Sequence, residues 1–334
     1  MTRGAKAARP LRPGDVVEVR PPEEILATLD ANASLDAMPF MPEMLQYVGR
    51  RFMVSHRVEK ICDTAGKTFT SRRMRDTVFL EDLRCDGSGH DGCQARCRIY
   101  WKEAWLRRVG GGSGSPDHDE EAALELLART TGATRVERPI GGEVKSVYRC
   151  QATEANAAST ALPKYDLAQY VREVRVGNVS PSRVATVLAR ALLERLLRAL
   201  RLRSSSALRP PRDQREEPAP LGLAPGELVQ VRPCEEIAAT VDASCRTRGL
   251  LFDHEMLPYC GGTYQVLDRV ERFIDESTGE MVELKSDCLV LDGVVCSGER
   301  SVWRWFCPRA IYPWWREAWL RRVDEQGGRI TTAA

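Results

Sequence analysis

The chain has 334 residues, 43% of them hydrophobic and 29% charged, which fits an ordinary soluble globular protein of two or three domains. A net charge of +2 excludes global attraction to a polyanion, so any basic patch must be local. No run of about 18 apolar residues occurs, which excludes a membrane-spanning helix, and the basic first ten residues lack the apolar stretch of a secretory signal.

In chain order, residues 1–12 are expected to be disordered. Pro13-Gly14 marks a turn, and the alternation from Val16 to Arg20 predicts a first strand. Residues 23–30 suit a short helix with acids at its positive end. Residues 40–49 suit a one-turn helix stopped by Gly49. Residues 51–58 and 77–80 read as strands, and residues 103–109 as a turn running into a last strand. Residues 110–118 form a Gly/Ser linker.

The middle, residues 119–203, reads as a helical, basic insert. Its first helix, 119–129, is expected to face Leu124, Leu126 and Leu127 inward. Residues 148–151 fit a strand or a loop, and residues 162–172 enter a helix that ends near Gly177. Ser180-Pro181 then opens a helix over residues 181–202. Val184, Val187, Leu188, Ala191, Leu192, Leu196 and Leu200 make its apolar stripe, expected to pack internally. A peripheral membrane or a nucleic-acid contact through this helix is the alternative. Residues 204–224 read as a disordered linker.

Residues 225–323 then repeat residues 13–109, and residues 324–334 form a disordered tail. Trp101-Lys-Glu-Ala-Trp-Leu-Arg-Arg-Val109 returns as Trp315-Arg-Glu-Ala-Trp-Leu-Arg-Arg-Val323, with eight of nine residues identical. The openings Pro13-Gly-Asp-Val-Val-Glu-Val-Arg20 and Pro225-Gly-Glu-Leu-Val-Gln-Val-Arg232 also align. Glu43 and Glu255 recur, as expected of a shared helix cap, and Trp105 and Trp319 recur as core anchors.

The first copy carries Cys62, Cys85, His90, Cys93 and Cys97. Eleven cysteines without an export signal favour a metal over bridges. Thiolates with an imidazole are what Zn2+ prefers, and Asp86-Gly-Ser-Gly-His-Asp-Gly92 is pliable enough to wrap an ion. Cys62, Cys85, Cys93 and Cys97 are expected as the ligands, with His90 as substitute or supporting donor. The same four suit a [4Fe–4S] cluster, and spacing does not choose between the two. In the second copy Ile274 and Ile311 replace Cys62 and Cys97, so the same site cannot form there. Cys260, Cys288, Cys296 and Cys307 remain as a possible second site, with tryptophan packing as the alternative.

The Pro-Gly-Asp-x-Val-x-Val-Arg opening resembles that of SH3-like small barrels, the KOW-type ones included. The spread Cys-Asp-Gly, His, Cys, Cys and Trp-Lys-Glu-Ala-Trp-Leu is similar to a bacterial module family, a resemblance that implies no activity. The expected architecture is mostly β with an α insert: two tandem SH3-like small β-barrels, an internal repeat, joined by a helical segment. No phosphate loop, dinucleotide fingerprint or nucleophile elbow is present. The expectation is a cytoplasmic, non-catalytic, metal-stabilised binding or scaffold protein whose partner is a protein or a nucleic acid. Arg107, Arg108, Arg321, Arg322, Arg190 and Arg198 would form its binding surface. An iron–sulfur or thiol-dependent enzyme or redox accessory protein is the alternative.

Overall fold

The computed structural model describes residues 9–66, 70–109, 119–200, 208 and 218–323. The chain is mostly β with several helices. It divides into two compact units. One comprises Met1–Asp91, Cys97–Pro181 and Asp275–Glu280; the other comprises Gly92–Arg96, Ser182–Ile274 and Met281–Ala334. The expected linker 110–118, most of 204–224 and the tail 324–334 lie outside the described residues.

In the first unit the main sheet is antiparallel and five-stranded. Its order is Arg98–Lys102, Thr77–Arg84, Arg51–Arg57, Val16–Val19, Leu106–Arg108. The two strands nearest in sequence, Arg98–Lys102 and Leu106–Arg108, occupy opposite edges. Only the 3-10 turn Glu103–Trp105 joins them. A three-residue connection reaches from edge to edge only if the sheet curls, and the result is a half-barrel. Val17 pairs with both Phe52 and Arg108. Val17 and Val19 are fully buried, and Glu18 is made tolerable by Arg51 and Arg107 on its carboxylate. Trp101 and Trp105 are fully buried, with Phe40 edge-on at 6.2 and 5.2 Å. The Trp105 indole donates to Thr28 Oγ1 at 3.1 Å. Removing either tryptophan would cost about 3–5 kcal/mol.

The middle segment departs from the helical expectation. Helix Glu120–Gly132 forms, with the Asp119 carboxylate accepting from the N–H of Glu121 and Ala122. It buries Leu126, whereas Leu124 and Leu127 are exposed, contrary to expectation. An unforeseen hairpin follows, Arg135–Ile140 against Glu143–Tyr148, turning at Gly141 and Gly142, both at positive φ. Strand Thr160–Leu162 extends a small sheet made by Ser71–Arg73 and Lys60–Cys62. Helix Ala168–Arg175 stops before Gly177.

In the second unit a four-stranded antiparallel sheet has the order Leu289–Leu291, Thr263–Arg269, Leu228–Val231, Leu320–Arg322. Val229 pairs with Tyr264 and Arg322. A single bridge, Leu289 to Trp315, stands at its far edge. Phe252 meets Trp315 and Trp319 edge-on at 6.1 and 5.3 Å. Helix Pro181–Ala199 starts at its proline as expected, but only Val187 of the stripe is fully buried. Leu188, Leu192, Leu196 and Leu200 are exposed, so more than half of the stripe is left unpacked among the described residues.

Candidate metal centre

Three short elements of the first unit converge. Glu43 rides the 3-10 helix Pro42–Tyr47, and Cys85 follows strand Thr77–Arg84. His90 ends the 3-10 turn Ser88–His90. The Asp86 carboxylate accepts from the Ser88 N–H at 2.9 Å and hydroxyl at 2.6 Å. The turn opens on Gly87 at φ +79°, a conformation glycine adopts without strain. A Cβ on Gly89 would stand 2.5 Å from Glu43 Oε2, so a larger residue there would have to displace this carboxylate.

One donor atom from each of Glu43, Cys85 and His90 lies within 4.8 Å of the other two. Cys85 Sγ is 3.4 Å from Glu43 Oε1 and 3.9 Å from His90 Nδ1, and His90 Nε2 is 3.8 Å from Glu43 Oε1. The His90 and Glu43 side chains are only 2% and 3% exposed. Glu43 Oε2 and His90 Nε2 are buried with no hydrogen-bond partner, an arrangement that costs about 1–3 kcal/mol for each such group. Burial pushes the Cys85 thiol well above its ordinary range, and negative charge on Glu43, Cys97 and Cys150 adds to the rise. Burial likewise pushes His90 down, against the pull of Glu43, Asp86 and Asp91. A divalent cation among these donors would reverse the thiol's preference. Mixed sulfur, nitrogen and oxygen donors fit Zn2+.

Of the expected ligands, Cys85 and His90 enter this cluster. Cys62 sits in the separate small sheet, paired with Ser71. Cys93 is grouped with the second unit, where its sulfur accepts the Ile274 N–H at 3.4 Å. Cys97 is the cross-strand neighbour of Cys85, whose N–H donates to its carbonyl at 2.8 Å. The residue that joins Cys85 and His90 is Glu43, read from sequence as a helix cap. Its burial in a turn whose cap is Met41 was the missing information.

The possible second site loses Cys260, which is disulfide-bonded to Cys234, against the expectation that bridges are absent. Cys288 is buried, and its thiol is pushed up to about 12 by that burial. Among the described residues Glu43–Cys85–His90 is the one group of this kind, so Cys296 and Cys307 join no such cluster. Glu255 instead accepts the Ser297 hydroxyl at 2.8 Å and the N–H of Arg300 and Ser301 at 2.7 and 2.8 Å. His254 opens that 3-10 helix, whose cap is Asp253.

The expected basic edges carry paired charge. Arg107 meets Glu18, Arg108 meets Asp15, Arg321 meets Glu236 and Arg322 meets Glu227. Arg190 donates to the Glu299 carbonyl at 2.5 Å, and the Arg198 side chain lies outside the described residues. A cleft of about 270 Å³ in the first unit is lined by Arg129, Arg135 and Arg149, a basic feature that sequence reasoning missed.

No helix among the described residues is long and apolar enough to cross a membrane. No protein-family model, curated protein or solved structure significantly matches the chain.

Proposed function

We propose that the chain is a non-catalytic binding or scaffold protein built on two SH3-like small barrels, the first stabilised by Zn2+ at Glu43, Cys85 and His90. The observation that carries the reading is a buried carboxylate, imidazole and thiol with one donor atom of each within 4.8 Å of the others, while Glu43 Oε2 and His90 Nε2 have no hydrogen-bond partner. A fold spends such unsatisfied groups where an ion completes them. The duplicated-module part is supported by parallel geometry. Arg20 Nε donates to the Leu106 carbonyl at 3.0 Å, and Arg232 Nε donates to the Leu320 carbonyl at the same distance. The aromatic triads around Phe40 and Phe252 match to within about 0.1 Å.

The partner in this reading is a protein or nucleic acid met in the cytoplasm. The arginine cleft, and not the edge arginines, is the surface an anionic partner would use. Elemental analysis of the purified full chain tests the metal: about one zinc per chain is expected, and neither zinc nor another transition metal would end the reading. A salt-dependent shift of a generic oligonucleotide, weakened by Arg135→Ala, would assign a nucleic-acid partner; no shift at low salt assigns a protein. The Cys234–Cys260 disulfide favours a second reading, a thiol-dependent redox accessory protein. Under that reading the bridge opens and closes at a cellular thiol potential.

A further inference from the structure

We propose that helix Pro181–Ala199 docks on a membrane surface, laying its leucine face into the headgroup layer of a bilayer that carries anionic lipid. The surface is separate from the metal centre, and its test does not depend on zinc.

The helix is mounted with its apolar side outward. Val187 is buried, and two arginines tie the helix to the second unit. Arg183 meets the Glu299 carboxylate, and Arg190 donates to the Glu299 carbonyl at 2.5 Å. Leu188, Leu192, Leu193, Leu196 and Leu200 are 42–70% exposed. Four of these five recur every fourth residue, so they line one side of the helix over about 18 Å. In a globular domain such a row ordinarily faces the core.

The charge around the face selects what covers it. From residue 181 to residue 203 the sequence holds six arginines and one acid, Glu194. Two copies packed face to face would bring these like charges together, which opposes a dimer through this helix. A nucleic acid would meet the arginines and leave the leucines in water. A bilayer with anionic headgroups covers both. Leucine enters the boundary between headgroups and acyl chains, while guanidinium groups stay at phosphate level on their apolar stems. The helix is not long and apolar enough to cross the bilayer, so the contact runs along its surface. The cytoplasmic leaflet is the negatively charged one, which places the anchor in the same compartment as the proposed partner.

Helix Glu120–Gly132 shows that exposed leucine alone does not make such a face. It also leaves Leu124 and Leu127 exposed, but sets them among Glu120, Glu121 and Glu125, with Arg129 as its one cation. An anionic surface repels that helix.

Flotation of the full chain with lipid vesicles tests the proposal. Binding is expected to equimolar phosphatidylglycerol and phosphatidylcholine, with little to phosphatidylcholine alone. Leu192→Glu should weaken binding about tenfold or more, since the side chain then resists burial. Arg195→Gln should weaken it roughly fivefold, the effect of one charge at such a surface. Leu196→Phe should keep it, and Leu124→Glu should leave it unchanged. All four sites are exposed, so each variant should keep the helical content and urea midpoint of the unaltered protein. No binding to either vesicle, equal binding to both, or the same loss with Leu124→Glu overturns the proposal. A dimer in lipid-free solution that Leu192→Glu abolishes overturns it too, by giving the face to a second copy.

Discussion

Glu43 and Glu255 occupy corresponding places in the two segments, both buried on a 3-10 helix, and their surroundings differ completely. Glu255 is saturated by the Ser297 hydroxyl and two backbone N–H groups. Glu43 has one oxygen orphaned and the other facing a thiol and an imidazole. A buried carboxylate must find donors, a cation or a proton, because an isolated charge in a low-dielectric interior is too costly. Glu255 takes donors, and in the proposed reading Glu43 takes a cation. Glu173, fully buried in the first unit, takes the third course. Burial pushes it up to about 7 against the pull of Asn178, whose amide donates to it at 2.6 Å.

The contrast can be broken at several points. The largest effect is expected from Cys85→Ser, since structural zinc is worth about 10 kcal/mol or more in small modules. Zinc content should fall to near zero, and hydrogen exchange should rise in peptides covering residues 85–97 while those covering 289–323 keep their protection. Glu255→Ala leaves three donors unmet and should cost about 3 kcal/mol in urea unfolding, with zinc content unchanged. A fall in zinc content there would mean that the two glutamates do not work independently. Cys234→Ser opens a loop of 26 residues and should cost about 3.5 kcal/mol by the chain-entropy model, read as a lower urea midpoint that added reductant does not lower further.

Glu173→Gln is the smallest and most diagnostic change. The folded carboxyl holds its proton up to about pH 7, whereas the unfolded one releases it near its ordinary 4.5. Its contribution is therefore complete below about 4.5 and is lost as pH rises through 7. The glutamine variant should lack that decline and be more stable by about 1–2 kcal/mol at pH 8. Parallel stability curves for the two proteins between pH 5 and 8 would show that Glu173 does not keep its proton.

Much of the strand framework was legible because alternation and turn residues act locally. The strands near 16–19, 51–57, 228–231 and 263–269 lie where apolar and polar residues alternate after Pro-Gly or Gly. The hairpin at 135–148 was missed although Gly141-Gly142 between alternating runs is a hairpin signal; a helical expectation for the whole insert overrode it. The disulfide also had a signal. Cys234 stands where the first segment has Pro22, and Cys260 where it has Val48, so both cysteines are peculiar to the second segment. The centre itself was half legible. Spacing drew attention to Cys85 and His90, but Glu43 is distant in sequence, and only tertiary packing brings it beside them.

Each of the two larger sheets has its last strand at an edge, Leu106–Arg108 or Leu320–Arg322, and these carry the same three residues. Val16–Val19 emerges from the ribosome some 90 residues before its second neighbour and must wait with an open edge. Translation at roughly 5–20 residues per second gives the earlier Leu-Arg-Arg a lead of about ten to forty seconds over the later one. Order of synthesis, and not complementarity of the strands, then decides which copy seals the first half-barrel. Refolding from denaturant, where both copies compete at once, should yield exchanged and dimeric species that biosynthesis avoids.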